Sequence, residues 1–176
     1  MTTTVLTRPT TDARWINASI VSGSVIFIFA LAVSAFFAPQ WRVLHVLQAL
    51  IYVAVIVLTR RKSAWGYGAG VLIAVFWNVL VLFRSPVGPE GVRVIETLMR
   101  TGQASHPDIV VQLFAAFGHC LIIVACLVGF LRTRPAARQW GQFFAGGALA
   151  IGYLLTMAFA LGPPEAAENI RRSFGL

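Results

Sequence analysis

Long, uninterrupted apolar runs separated by short polar connections dominate this chain. Five of them reach the roughly 20 residues that a helix needs to cross a hydrocarbon core. They fall at about 17–38, 41–59, 64–83, 109–131 and 142–161. The runs are continuously apolar rather than alternating, which predicts helices and not the strands of a barrel. Among them Arg42 is the one charged residue, and it stands at the edge of the second run. The expected fold class is therefore all-α, a polytopic integral membrane protein built as a five-transmembrane-helix bundle.

The breaks between runs agree. Ala38-Pro39-Gln40 predicts a tight turn that makes the first two spans an antiparallel hairpin. Thr133-Arg134-Pro135 stops the fourth run, and Gly162-Pro163-Pro164 stops the fifth. Trp15, Trp41, Trp65 and Trp140 fall at run edges, the position of an interfacial aromatic belt, while Trp77 lies inside the third run. The connection 84–108 is long for a link between adjacent spans. Within it, residues 90–101 have helical periodicity, with Val92, Ile95, Leu98 and Met99 on one face and Arg93, Glu96 and Arg100 on another. Pro89 and Gly102 bound this stretch, and a short amphipathic helix is expected on the outer membrane surface or capping the bundle.

Composition narrows the class further. The chain is 58% hydrophobic and 11% charged, with a mean hydropathy of +0.79. Soluble domains average about 45–50% apolar and about 25% charged residues. The charge deficit excludes an ordinary soluble domain, a disordered chain and a disulfide-stapled secreted module. Cys120 and Cys126 both lie inside one run, six residues apart and so on different helix faces. Metal-ligand Cys/His spacing does not occur, and both cysteines read as small packing residues.

The net charge of +8 reads as an orientation signal rather than a nucleic-acid footprint, because the cations flank the runs. With the N-terminus inside, Arg8, Arg14, Arg60, Arg61, Lys62, Arg132, Arg134 and Arg138 face the cytoplasm. Arg42, Arg84, Arg93, Arg100, Arg171 and Arg172 face outward, together with most of the acids. The expected organisation is a polar cytoplasmic segment 1–16, a membrane domain 17–161 and a short outer tail 162–176, in the cell (inner or plasma) membrane. The first run is too long for a typical signal-peptide core and is expected to be an uncleaved span.

Small residues at four-residue spacing let helices approach closely in lipid: Ser19/Gly23, Gly66/Gly70, Ala148/Gly152 and Ala158/Gly162. They support a compact bundle and serve contacts within the chain or between copies equally well.

Polar groups inside spans are the functional pointers, because lipid makes them costly. His45, Gln48 and Tyr52 share one face of the second run, and Gln112 and His119 share one face of the fourth. Trp77 and Asn78 are adjacent in the third, and Tyr153 and Thr156 lie three apart in the fifth. At about 1.5 Å of rise per residue, His119 sits near the midplane and most of the others in the outer half. They define a candidate polar pocket opening outward beneath the 84–108 connection. The competing reading is that these groups only bond between helices. For His119, one backbone carbonyl and one hydroxyl, such as that of Tyr52 or Tyr153, would suffice.

Several chemistries have no support. Bis-histidine haem ligation needs two histidines at one depth, and His45 and His119 differ by roughly 9 Å. The spans carry no carboxylate for ion coupling, and the hydrolase motifs are missing. No catalytic residue, metal site or cofactor is expected. The leading expectation is a small non-catalytic membrane protein, an accessory subunit or a lipid- or small-ligand-binding bundle. The alternatives are a small transporter or channel component around His119, or a quinone- or haem-associated redox subunit. The expected partners are the lipid bilayer and either a homo-oligomer or a larger membrane complex, with no nucleic acid.

Overall fold

A computed structural model describes residues 11–84, 87–104 and 106–174. The described residues form helices and contain no strand. The order is α1 (Thr11–Phe37), a 3-10 turn (Pro39–Trp41), α2 (Arg42–Arg60), α3 (Ala64–Arg84), α4 (Val87–Thr101), α5 (Pro107–Arg132), α6 (Ala137–Leu161) and α7 (Pro164–Phe174). Among them α1, α2, α3, α5 and α6 are long and apolar enough to cross a membrane.

The helices extend past several apolar limits because polar first turns are good helix starts. α1 begins at Thr11, ahead of the apolar run. α5 begins at Pro107, whose fixed φ and missing N–H suit a first position, with Asp108 in the first turn. α6 begins at Ala137, where the Gln139 side chain accepts the Ala136 N–H at 2.8 Å.

The connections place the start of α1, the α2–α3 turn and the α5–α6 turn at one end of the bundle. That end carries Arg14, Arg60, Arg61, Lys62, Arg132, Arg134 and Arg138 and is called the basic end below. There Arg132 lies over the Trp15 ring at 5.8 Å, tying α5 to α1. The α1–α2 turn, α4 and α7 lie at the opposite end.

Two close approaches set the core. α1 crosses α5 at Gly23 and Gly118, where a methyl built on Gly118 would sit 2.8 Å from the Gly23 carbonyl oxygen. α3 meets α6 where Gly68 lies against the Phe143 backbone and Gly146 against the Trp65 backbone. The Gly66/Gly70 spacing is used inside the chain, against Leu58 and against Val55 and Cys126 respectively. Gly152 has nothing within 4 Å of a built methyl, and Ala148 is exposed, so that pair takes no part in packing the chain on itself. The enclosed core includes Ile20, Phe27, Tyr52, Val55, Ile73, Ile122 and Phe130. The outward flanks stay apolar: Phe29, Phe36, Phe114, Phe117 and Leu149 are all exposed.

The two short amphipathic helices correct the sequence reading. α4 exists, but its packed stripe is Val87, Gly91 and Val94, set against Ile109 and Leu113 of α5. Val92, Ile95 and Met99 of the expected apolar face are exposed. The apolar arc of α4 is wide enough to serve the bundle with one edge and leave the other free, while Glu96 and Arg100 pair at 2.7 Å on the polar side. The tail after 162, expected only as a short outer segment, contains α7. Pro164 opens it, Glu168 and Arg172 pair at 2.9 Å on its exposed side, and Ala166 and Ile170 pack against Leu44, Trp41 and Ala158.

Candidate functional site

The sequence-predicted polar residues divide into a closed knot and an open cavity wall. The knot forms where α1, α2, α3 and α5 meet. Tyr52 and His119 are each fully buried. The Tyr52 hydroxyl lies 2.6 Å from His119 Nε2, and His119 Nδ1 lies 3.1 Å from Asn78 Oδ1. An amide oxygen only accepts, so Nδ1–H donates to Asn78 and Nε2 accepts the Tyr52 hydroxyl proton. That assignment satisfies a neutral imidazole completely. The ring also stacks on Phe27 at 4.0 Å and meets the edge of Trp77 at 4.8 Å.

Helix direction explains how Asn78 reaches His119 from a different depth. Side chains tilt toward the N-terminus of their own helix. α5 starts at the α4 end and α3 at the basic end, so His119 and Asn78 lean toward each other along the bundle axis.

Toward the α4 end from this knot lies a cavity of about 490 Å3. Its walls come from α1, α2, α3, α5 and α6, and Ala166 and Ile170 of α7 contribute at its margin. Phe27 and Trp77 line it and also contact His119, so these two rings separate the cavity from the knot. Most of the wall is apolar, with Leu31, Leu44, Leu80, Val111 and Leu154 among its members. Its polar members include His45 and Gln48 on α2 and Gln112 on α5, and among the described residues Asp108 is its charged member. A pocket of this volume and composition is of the kind that takes a small lipophilic molecule.

Of the expected pocket residues, His45, Gln48, Trp77 and Gln112 line the cavity. Tyr52, Asn78 and His119 belong to the knot instead, where their polar groups bond to one another; Tyr52 and His119 are fully buried there and Asn78 is half-buried. Tyr153 does not face the cavity; it borders a separate apolar groove on the flank, with Leu50, Ala54, Trp65 and Leu149. Thr156 is exposed, and its hydroxyl donates to the Gly152 carbonyl one turn back at 2.8 Å. The expected cover over the pocket also changes identity: α7 takes that place, and α4 packs on the α3–α5 edge.

Sequence reasoning missed Phe27, Trp41, Phe76, Ala166 and Ile170 on the wall. The aromatics carry no polar signal that separates them from lipid-facing neighbours. For α7 the signal was present: Pro164 at a helix start, the Glu168/Arg172 pair and the Ala166/Ile170 spacing. Among the described residues, no three His, Cys, Asp or Glu side chains gather at one place. No family model, curated protein or solved structure matches the chain.

Proposed function

We propose that this is a non-catalytic multi-pass membrane protein that holds a lipophilic small molecule or lipid in the cavity between its five long helices. Membrane residence is supported by the exposed aromatic and aliphatic flanks of α1, α5 and α6, which no water-soluble monomer of this size would leave uncovered. The concentration of cations at the basic end favours the cytoplasmic side for that end. α4, α7 and the cavity mouth then face outward, in the cell (inner or plasma) membrane.

The observation that carries the ligand-binding reading is the cavity of about 490 Å3, walled by apolar side chains with a few polar groups on α2 and α5. The arrangement around His119 argues against a transport path through it and against its serving as a haem ligand. His119 is fully buried and both of its ring nitrogens are already bonded, which leaves neither a water path nor a free axial nitrogen.

The test is gentle solubilisation and purification, followed by mass spectrometry of extracted small molecules and of co-purifying proteins. The wild type should carry a lipophile in near-stoichiometric amount, and Leu155→Trp, which fills the cavity from α6, should lose it. A wild type that brings only protein partners would favour the accessory-subunit reading. Equal lipophile on both variants would place the bound molecules on the outer surface.

A further inference from the structure

Resting on that ligand-binding reading, the wall chemistry narrows what the cavity takes. Gln48 is only 5% exposed and lines the cavity, and among the described residues no hydrogen bond satisfies its amide. One turn earlier on the same face of α2, His45 also lines the cavity, but its Nδ1 is enclosed and turned toward the Leu31 backbone. The Gln48 amide stands where a bound molecule would meet it, and a hydrogen bond made there is favourable in an apolar wall. Gln112 lines the same cavity from α5. An amide offers both donors and an acceptor.

Charge narrows the class again. Among the described residues no Lys or Arg lines the cavity, so a phosphate or carboxylate head would meet no counter-charge from them. Asp108 is the charged residue on the wall, but it lies in the first turn of α5, where the helix N-terminus already balances it. We infer that the cavity takes a neutral amphiphile, an apolar body whose head carries a hydrogen-bonding oxygen, with Gln48 and Gln112 holding that oxygen. Phe27 and Trp77 close the far end and keep the head out of the Tyr52–His119–Asn78 knot.

A chain-matched competition tests this. The protein is placed in phosphatidylcholine nanodiscs with brominated dodecanol, which quenches Trp41 and Trp77 on the cavity wall. Dodecanol, dodecane, dodecanoate and dodecyltrimethylammonium then compete at equal mole fraction. Dodecanol should restore fluorescence at about tenfold lower content than dodecane, the scale of one net hydrogen bond. Dodecanoate and the ammonium should compete no better than dodecane. Gln48→Leu should remove most of the alcohol's advantage and leave dodecane unchanged. Gln112→Leu, on a less buried wall, provides the same comparison if Gln48→Leu does not fold. Equal competition by dodecane and dodecanol, or the strongest competition by either charged probe, overturns the assigned class while leaving a ligand cavity in place. No competition by any probe, together with a wild type that purifies without a lipophile, overturns the cavity reading itself.

Discussion

The Tyr52 hydroxyl and His119 Nε2 lie 2.6 Å apart although 67 residues separate them in sequence. The bond joins α2 to α5 between two fully buried side chains, and the half-buried Asn78 on α3 completes the cluster. Three helices are thus pinned at one point by polar groups that have no water to fall back on. Tyr52→Phe leaves the imidazole nitrogen buried and unpaired and should lower stability by about 1–3 kcal/mol. Unfolding in mild detergent measures it. His119→Ala should also destabilise, and the double variant should lose less than the sum of the singles, with a coupling of about 0.5–3 kcal/mol. Strict additivity would mean that the bond carries no net energy. A loss of function from His119→Ala alone would not mark a site, because the fold depends on this residue.

The gross architecture was legible because continuous apolar length has one outcome in lipid. The five long helices match the five runs, with shifts of up to six residues at polar first turns and of one residue elsewhere. Tyr52 was legible as a partner for His119, because both lie about ten residues into helices that start at the same end. Asn78 was not, because depth counted from Cα positions ignores the opposite lean of side chains on antiparallel helices. Which edge of α4 packs on the bundle was not legible because Gly91, with no apolar side chain, belongs to the packed stripe, whereas Val92 and Met99 stay exposed, as a helix lying on the membrane surface would leave them. Phe27 and Trp77, the rings that divide cavity from knot, look in sequence like any other apolar span residue.

The same limit applies to glycines, since spacing alone does not tell which ones touch. A methyl on Gly118 would be forced within 2.8 Å of the Gly23 carbonyl oxygen, and neither backbone has room to retreat. Gly118→Ala should cost about 1–3 kcal/mol of stability. Gly152→Ala meets open space and should be neutral or stabilising by up to about 1 kcal/mol from helix propensity. Parallel thermal unfolding of the two variants checks the pair. A Gly152→Ala variant as damaged as Gly118→Ala would point to a contact outside the chain.

Orientation is open to direct chemistry. Gln103 is exposed just beyond α4, and Arg61 is exposed in the turn at the basic end. In a Cys120→Ala background, Gln103→Cys should label with an impermeant thiol reagent applied to intact cells. Arg61→Cys should label only after the membrane is opened. The reverse pattern would invert the topology.

α7 touches the cavity margin through Ala166 and Ile170, so it should restrict access to the wall below. A cysteine at Gln48 should react slowly with a small neutral maleimide in the full chain. Removing residues 164–176 should raise the rate by about tenfold or more, because a short helix held by a few apolar contacts is then no longer in the way. An unchanged rate would show that entry runs between the long helices instead.

The space between α1, α2, α3, α5 and α6 is proposed as a ligand site. An experimental structure in lipid nanodiscs tests it most directly. Elongated non-protein density should fill the cavity, with its head against Gln48 and its body running past Leu31 and Leu154, and none beyond Phe27 and Trp77. A cavity closed by inward movement of the helices, or a file of ordered water running past Trp77 to His119, would contradict it.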